Sequence, residues 1–516
     1  MSGNGEFEAG ADASLCNVDA APTPAALPDP QTCEQARLSR DARFDGLFFT
    51  AVTSTGIYCR PVCPAPAPRR EHVVYYANAA GAEAAGFRPC LRCRPELAPH
   101  SAVLQRGDAT VARALQLIDG GLLEEHALPD LARRLATSER QLRRLFVARL
   151  GATPVQVHAT RRLLFAKQLL SESHLPVTQV ALAAGFRSLR RFNDAFRTAY
   201  RLAPRALRKQ SLDDVAAGAG QALVLRLAYR PPYDFAALLA FLHARALPGL
   251  EHVDKHGYAR AIGTPQRPGW LRVSAWDDST HALRLELHGA APADLLGLVA
   301  RVRRMFDLDA DPHAIAGVLA RDPLLRPLLR SRPGLRLPGA WDGFELAARA
   351  VLGQQVSVAA ARTLATRLLQ RFGRPLAPGD APALTHLFPD AADLDGASFD
   401  GIGLTRARSA TLHAVAHALR SGAVDFDPAR TLDDHVARWT ALPGIGPWTA
   451  HYVALRARSH PDAFPADDLV LRRAAARNGK PPSATALVRH AEAWRPWRAY
   501  AVMHLWHASS NLRSTT

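Results

Sequence analysis

Cysteine spacing constrains this chain more than any other feature. Cys59 and Cys63 are separated by three residues, Cys90 and Cys93 by two. Two close pairs joined by a loop bring four thiolates to one tetrahedral Zn²⁺. Cys16 and Cys33 lie outside the quartet, and no cysteine follows Cys93 in the 516-residue sequence. The quartet is therefore a site and not a by-product of cysteine usage. A unit of about 60 residues buries too little apolar surface to be secure alone, so the metal supports the fold. The residues leave open whether zinc only staples this unit or also prepares a reactive thiolate.

The chain is too long for one core, which predicts three or four domains. No apolar run approaches the ~18 residues of a membrane span. The first thirty residues are acidic and Ala/Pro-rich, without a basic start or apolar stretch, and predict a disordered tail. Few cysteines and no signal point to the reducing cytoplasm, where such a cluster favours metal over disulfide. The net charge of +17 is unevenly spread. Arg133 to Lys209 hold seventeen Lys/Arg against three acids, Glu139, Glu172 and Asp194. Concentrated positive charge is the footprint of a nucleic-acid partner and predicts a nucleoid-associated protein, not a membrane one.

Hydrophobic patterning divides the chain further. Residues 1–36 read as the tail and 37–100 as the zinc unit. Residues 101–210 read as helices, with apolar spacing at Leu131, Leu135, Leu142 and Phe146. Residues 211–222 are an Ala/Gly/Asp linker. Residues 223–229 and 282–288 alternate as strands and 233–247 reads as a helix, within a small α/β domain over 223–305. From 306 to 512 the pattern is helical again. The fold class expected is multidomain, mainly α with α+β parts.

The motifs GIYCRPVC (56–63) and GFRPCLRC (86–93) carry all four cysteines. The surrounding segment resembles the N-terminal domain of Ada-type adaptive-response proteins. The resemblance implies that Cys59 accepts a methyl group from a DNA methyl phosphotriester, with Cys59, Cys63, Cys90 and Cys93 holding one zinc ion. A plain structural staple is the alternative that spacing alone supports. Arg60, Arg69 and Arg70 flank the site as candidates for phosphate oxygens.

Two patterns then repeat, LPDLARRLATSERQLRRLFVARLG (128–151) and VTQVALAAGFRSLRRFNDAFRTAY (177–200). Each pairs a short Ala-centred helix with an Arg-studded one. Thr137 or Ser138 and Ser188 are the N-cap candidates. The pair resembles the AraC-type double helix-turn-helix. That resemblance points Arg140, Arg143, Arg144, Arg187, Arg190 and Arg191 at double-stranded DNA, mostly at phosphates. Operator DNA and RNA polymerase are the partners such a regulator implies.

Residues 223–510 resemble AlkA-type alkylbase DNA glycosylases, with a TBP-like α/β domain before a helix-hairpin-helix domain. The landmarks are LAYRPPYDFAALLAFLHARA (227–246), RPGLRLPGAWDGFELAARAVLGQQVSVAAA (332–361), LPGIGPWTAHYVALRA (442–457), FPADDLVLRRA (464–474) and RPWRAYAVMHLW (495–506). Gly444 and Gly446 permit a tight turn whose N–H groups meet phosphate, and Thr449 follows as a further DNA contact. The resemblance adds a monovalent cation at the hairpin carbonyls. It selects Asp468 over Asp467 as the catalytic carboxylate, which stabilises positive charge building on the sugar. Helix capping is the alternative role for either. Trp448, Tyr452, Trp506 and Phe241 match the aromatic cleft that receives a flipped, cationic base. Trp448 stands where strand-cleaving relatives carry a lysine, so a monofunctional enzyme is implied. Gln355 stands where the family places a wedge residue, a leucine in the relative compared.

These readings converge on a monomeric adaptive-response protein of the Ada and AlkA types. Its expected activities are release of 3-methyladenine and 7-methylguanine, one-shot methyl transfer to Cys59, and methylation-linked activation of transcription. The competing reading is a zinc-dependent regulator whose glycosylase half is an inactive scaffold.

Overall fold

A computed structural model describes residues 27–100, 109–211, 222–277, 280–376, 383–476 and 480–514. β-Branched and aromatic residues around the first cysteines form a four-stranded sheet, in the order β3–β1–β2–β4. The strands are β1 (Phe49–Val52), β2 (Ile57–Cys59), β3 (Val73–Tyr76) and β4 (Arg88–Pro89). β2 and β4 run parallel with Tyr58 opposite Pro89, so Cys59, the last residue of β2, and Cys90, the first after β4, come side by side. The tail expected over 1–36 stops short. Asp29 caps a helix, Pro30–Ser39, that buries Cys33 and Ala36 beside Phe48. Proline at the first helical position and the Asp cap start that helix. Residues 1–26, including Cys16, lie outside the described residues.

The two repeats are helix pairs, Leu128–Arg134 with Glu139–Leu150 and Val177–Ala183 with Leu189–Tyr200. Ser138 Oγ accepts from Gln141 N at 3.2 Å and Ser188 Oγ from Arg191 N at 3.4 Å, so the serines cap and Thr137 does not. Leu131, Leu135, Leu142 and Phe146 are buried in one core. The helix Pro154–Glu172 joins the pairs. Most of the expected linker, 212–221, lies outside the described residues.

Beyond it, an antiparallel sheet has the order β5–β9–β8–β7–β6. Its strands are β5 (Leu223–Ala228), β6 (Glu251–Val253), β7 (Gly257–Thr264), β8 (Arg267–Asp277) and β9 (Thr280–His288). Inward residues such as Leu225, Val273 and Leu285 alternate with exposed or half-exposed ones and pack against Val302 and Phe306. The helix expected over 233–247 is Phe235–His243, capped by Asp234. The last part is helical, with one core around Val351, Trp439 and Val453 and another around Leu455, Trp494 and Tyr500.

Buried charge joins these parts. Arg230 is fully buried and donates to Asp45 O at 2.8 Å, to Asp309 O at 2.7 Å and to Pro99 O at 3.4 Å. Lys167, 1% exposed, pairs with Glu96 of the zinc unit at 2.5 Å. Glu172 pairs with Arg94 at 2.9 Å and accepts from Arg226 N of β5 at 3.1 Å. The zinc unit, the helix pairs and the α/β domain thus share one ionic joint, where removing any partner strands a buried charge.

Candidate functional site

The parallel pairing of β2 with β4 gathers the four cysteines. All four Sγ atoms lie within 4.8 Å of one another, the only such cluster of possible metal ligands among the described residues. Zn–S bonds of about 2.3 Å put tetrahedral sulfurs about 3.8 Å apart, so the donor set fits zinc. Cys90 and Cys93 are buried, whereas Cys59 and Cys63 are half-buried. Arg60 corrects an expectation. Its guanidinium is buried and paired with Asp45, with Nε donating to Oδ1 at 2.9 Å. Its backbone N donates to Cys93 Sγ at 3.3 Å and its Nη1 to Cys93 O at 3.0 Å. It therefore braces the thiolate cluster and is not free to grip DNA. Arg70 stacks over Tyr75 at 5.3 Å and donates to Val73 O, whereas Arg69 is exposed and pairs with Glu71 at 3.7 Å.

On the paired helices Arg140, Arg144, Arg190 and Arg191 are exposed. Arg143 is also exposed and pairs with Glu139 at 3.0 Å, while Arg187 donates to Glu124 O at 3.4 Å. Surface pairs of this kind hold a side chain weakly and yield to phosphate.

The hairpin joins helices Leu432–Thr440 and Pro447–Ala457. Pro443, Gly444 and Gly446 are exposed while Ile445 is buried as its anchor. The two glycines have different reasons. Gly444 has φ +79°, and a Cβ there would lie 1.9 Å from Thr411 Oγ1. A Cβ at Gly446 would meet open space, where a ligand can approach. No side chain caps the helix that starts at Pro447, so its N–H groups face outward. Thr449 corrects another expectation. It is 3% exposed and its hydroxyl accepts from Gln354 Nε2 at 3.1 Å, so its side chain is turned inward and positions a neighbouring loop.

Beside the hairpin lies a cavity of about 750 Å³ lined by Asp468, Trp448, Tyr452, Trp506 and Phe241. All five residues expected there from sequence come together. Asp468 ends the PADD turn and caps the helix Leu469–Ala474, with Leu471 N donating to Oδ1 at 2.7 Å. Its other oxygen accepts from Trp448 Nε1 at 2.8 Å. The capping role and a site role are thus compatible, one oxygen to each. Asp467 is exposed and lines no part of the cavity.

The Trp448 and Tyr452 rings stack on each other, with centroids 5.2 Å apart and planes 7° apart. Phe241 is already engaged. Arg245 sits 3.7 Å and Arg456 4.8 Å from its centroid, which occupies the ring faces expected to greet a cationic base. Arg456 also donates to Tyr452 Oη at 3.0 Å. Burial pushes the Tyr452 phenol up, but Arg456 and Arg245 outweigh it and leave it below the ordinary value. Deeper lie Glu251, Arg260, Glu345 and Arg349. Arg349 bonds to Glu251 at 2.6 Å and to Glu345 at 2.8 Å, and Arg260 to Glu345 at 2.9 Å. Burial pushes Glu251 up, and Arg349 and Arg260 more than reverse it. This closed network fixes the cavity wall.

Sequence reasoning missed Asp45 and Gln354, whose partners are distant in the chain, and Arg245 and Arg456, each of which meets an aromatic ring four residues back on its own helix or just beyond its end. The RALP segment after Phe241 held a local signal, an arginine four residues on along an apolar helix.

A thiolate quartet, a double helix-turn-helix and a hairpin beside a carboxylate-bearing cavity define a DNA-binding repair protein. Residues 32–96 match the metal binding domain of Ada, 131–210 a helix-turn-helix domain, 224–342 the AlkA N-terminal domain and 348–499 the HhH-GPD superfamily of base excision DNA repair proteins. The "probable bifunctional transcriptional activator/DNA repair enzyme AlkA" of Mycobacterium tuberculosis is 40% identical over 481 residues, 93% of this chain and 96% of that protein. DNA-3-methyladenine glycosylase 2 of Escherichia coli is 34% identical over 284 residues, 54% of this chain and 96% of its own length. The bifunctional transcriptional activator/DNA repair enzyme Ada of Escherichia coli is 41% identical over 152 residues, 30% of this chain and 41% of its own. The chain belongs to this family of bifunctional transcriptional activator/DNA repair enzymes, joining an Ada-type regulator to an AlkA-type DNA glycosylase. No helix among the described residues is long and apolar enough to cross a membrane.

Proposed function

We propose that this chain hydrolyses the N-glycosidic bonds of alkylated purines, of the 3-methyladenine and 7-methylguanine class. The observation that carries this is Asp468, held by Trp448 and Leu471 in an aromatic cavity beside the hairpin. Hairpin N–H groups bind a phosphate and the lesion base flips into the cavity. Its ring stacks on the Trp448–Tyr452 pair, a contact that a cationic base strengthens. The Asp468 carboxylate faces the sugar and stabilises the oxocarbenium as the base leaves, and water completes the hydrolysis. Alkylation makes the base cationic and a good leaving group, so no strong acid is required. Among the described residues no lysine lines the cavity, which supports a monofunctional enzyme that leaves an abasic site. A monovalent cation at the hairpin carbonyls belongs to this reading, although Gly444 O already accepts from Gln354 Nε2 at 2.9 Å.

The second activity is methyl transfer to Cys59, which like Cys63 is half-buried where Cys90 and Cys93 are buried; the Ada-type resemblance selects Cys59 of the two. Bound zinc keeps the sulfurs as thiolates at neutral pH. The Cys59 sulfur forms a bond to the methyl carbon, the carbon–oxygen bond breaks, and its electron pair stays on the phosphate oxygen. A neutral triester becomes an anionic diester, and no proton moves. Methylation removes one negative charge next to DNA phosphates, which raises affinity and links damage to activation through RNA polymerase. The protein acts as a monomer in both roles.

The test is chromatographic release of free methylated purines from alkylated duplex DNA. The wild-type chain releases them and Asp468→Asn does not. Equal release by the variant overturns the glycosylase assignment.

A further inference from the structure

We propose that Gln355 reads the base left behind opposite the flipped lesion, so that DNA engagement depends on which base that is. This deepens the base-excision reading and rests on it. Gln355 lies in the turn between helices Gly343–Leu352 and Val358–Phe372. It is exposed and has φ +57°, a backbone conformation that a β-carbon disfavours. Strained residues of this kind persist where the surrounding structure over-determines them, and they cluster at functional sites.

The surroundings do over-determine this one. Gln354, just before it, donates its amide to Gly444 O at 2.9 Å and to Thr449 Oγ1 at 3.1 Å. Arg408 Nη2 donates to Gln354 O at 2.8 Å. The turn is therefore tied at once to the hairpin and to the helix Arg406–Ser421. Its other neighbours, Gly353 and Val356, line the cavity that holds Asp468. Gln355 thus stands at the cavity rim, on the side that the hairpin turns toward DNA.

Flipping a base into that cavity leaves a gap one base wide and exposes the pairing edge of the partner base. An apolar side chain at the rim fills such a gap and reads nothing. The Gln355 amide carries a donor and an acceptor on one plane, the pattern that recognises a base edge. Every base offers an acceptor beside a donor on its pairing edge, so size decides: a pyrimidine leaves room for the amide, whereas a purine occupies more of the gap. Binding is therefore tighter opposite thymine and cytosine.

The experiment is equilibrium binding of the full chain to duplexes with a tetrahydrofuran abasic site opposite each of the four bases. Wild type binds the thymine and cytosine duplexes roughly ten-fold more tightly than the purine ones, the discrimination of one good polar contact. Gln355→Leu narrows the spread to less than about two-fold. Gln355→Glu, which only accepts, weakens the thymine duplex relative to the cytosine one, because thymine's single donor is flanked by two acceptors that repel a carboxylate whereas cytosine N4 donates at the edge. Ratios within one preparation cancel any loss of overall binding or folding. An equal spread in wild type and Gln355→Leu, or no spread in wild type, overturns the proposal. Base release from alkylated DNA is scored separately, so release without a spread removes this inference alone. A spread without release removes only the excision reading.

Discussion

Asp468 carries two hydrogen bonds with different consequences, and substitutions separate them. Oδ1 caps the helix Leu469–Ala474 through Leu471 N at 2.7 Å, and Oδ2 accepts from Trp448 Nε1 at 2.8 Å. Asp468→Asn keeps the capping oxygen, and Asn caps about as well as Asp. Its NH2 then opposes the indole N–H, which forfeits a charge-assisted bond of about 2 kcal/mol. Asp468→Ala loses the cap as well, about 1 kcal/mol more. Thermal stability therefore falls in the order wild type, Asn, Ala. Catalysis does not follow that order. Both variants remove the carboxylate proposed to meet positive charge on the sugar, and both lower single-turnover release of 7-methylguanine by at least roughly 10²–10³. Trp448→Phe is the third arm. It keeps the carboxylate and its cap but frees Oδ2, and it slows release less than Asp468→Asn. Thermal unfolding and single-turnover release measured on the three variants decide the matter. Substantial release by Asp468→Asn, or a Trp448→Phe enzyme as slow as it, refutes the reasoning.

Two further predictions concern stability. Asp45→Asn leaves the Arg60 guanidinium buried without its carboxylate; it lowers stability by about 3 kcal/mol and speeds zinc loss to a chelator, and unchanged melting refutes the bracing role. Burial pushes His435 down to about 3 and His504 down to about 4, against 6.5 when unfolded. The unfolded chain then binds protons that the folded one refuses, so stability is complete above pH 6.5 and drains as pH falls toward those values. At pH 5 the cost is roughly 2 kcal/mol per histidine. His158 and His460 are pushed down likewise, to about 4 and about 3. A melting temperature unchanged between pH 7 and pH 5 contradicts this, and His504→Phe removes roughly a quarter of the expected drop.

The legible parts of this molecule are those whose partners are near in sequence. Paired cysteines two and three residues apart declare a metal because one turn of chain sets each pair. Ser138 and Ser188 declare helix starts because a cap bonds three residues ahead. The LPGIG turn and the PADD segment, read with a family resemblance, pointed to residues that the fold brings into one cavity. What escaped reading was long-range or depended on helical phase. Arg230 and Asp45 meet across 185 residues, and Gln354 and Gly444 across 90. Nothing local marks either pair. Thr449 follows the hairpin in sequence, yet its place on the helix turns it inward to Gln354. Arg60 adjoins a zinc ligand, yet Asp45 draws it into the interior.

The central claim is that one chain holds two independent repair chemistries, on Cys59 and on Asp468. Mass mapping after exposure to DNA carrying both methyl phosphotriesters and methylated purines tests it most directly, run on wild type and on Asp468→Asn. The account predicts one added methyl on the Cys59 peptide in both proteins, with free purines released only by wild type. A methyl on Cys63, Cys90 or Cys93, or uptake that disappears with Asp468, would contradict it.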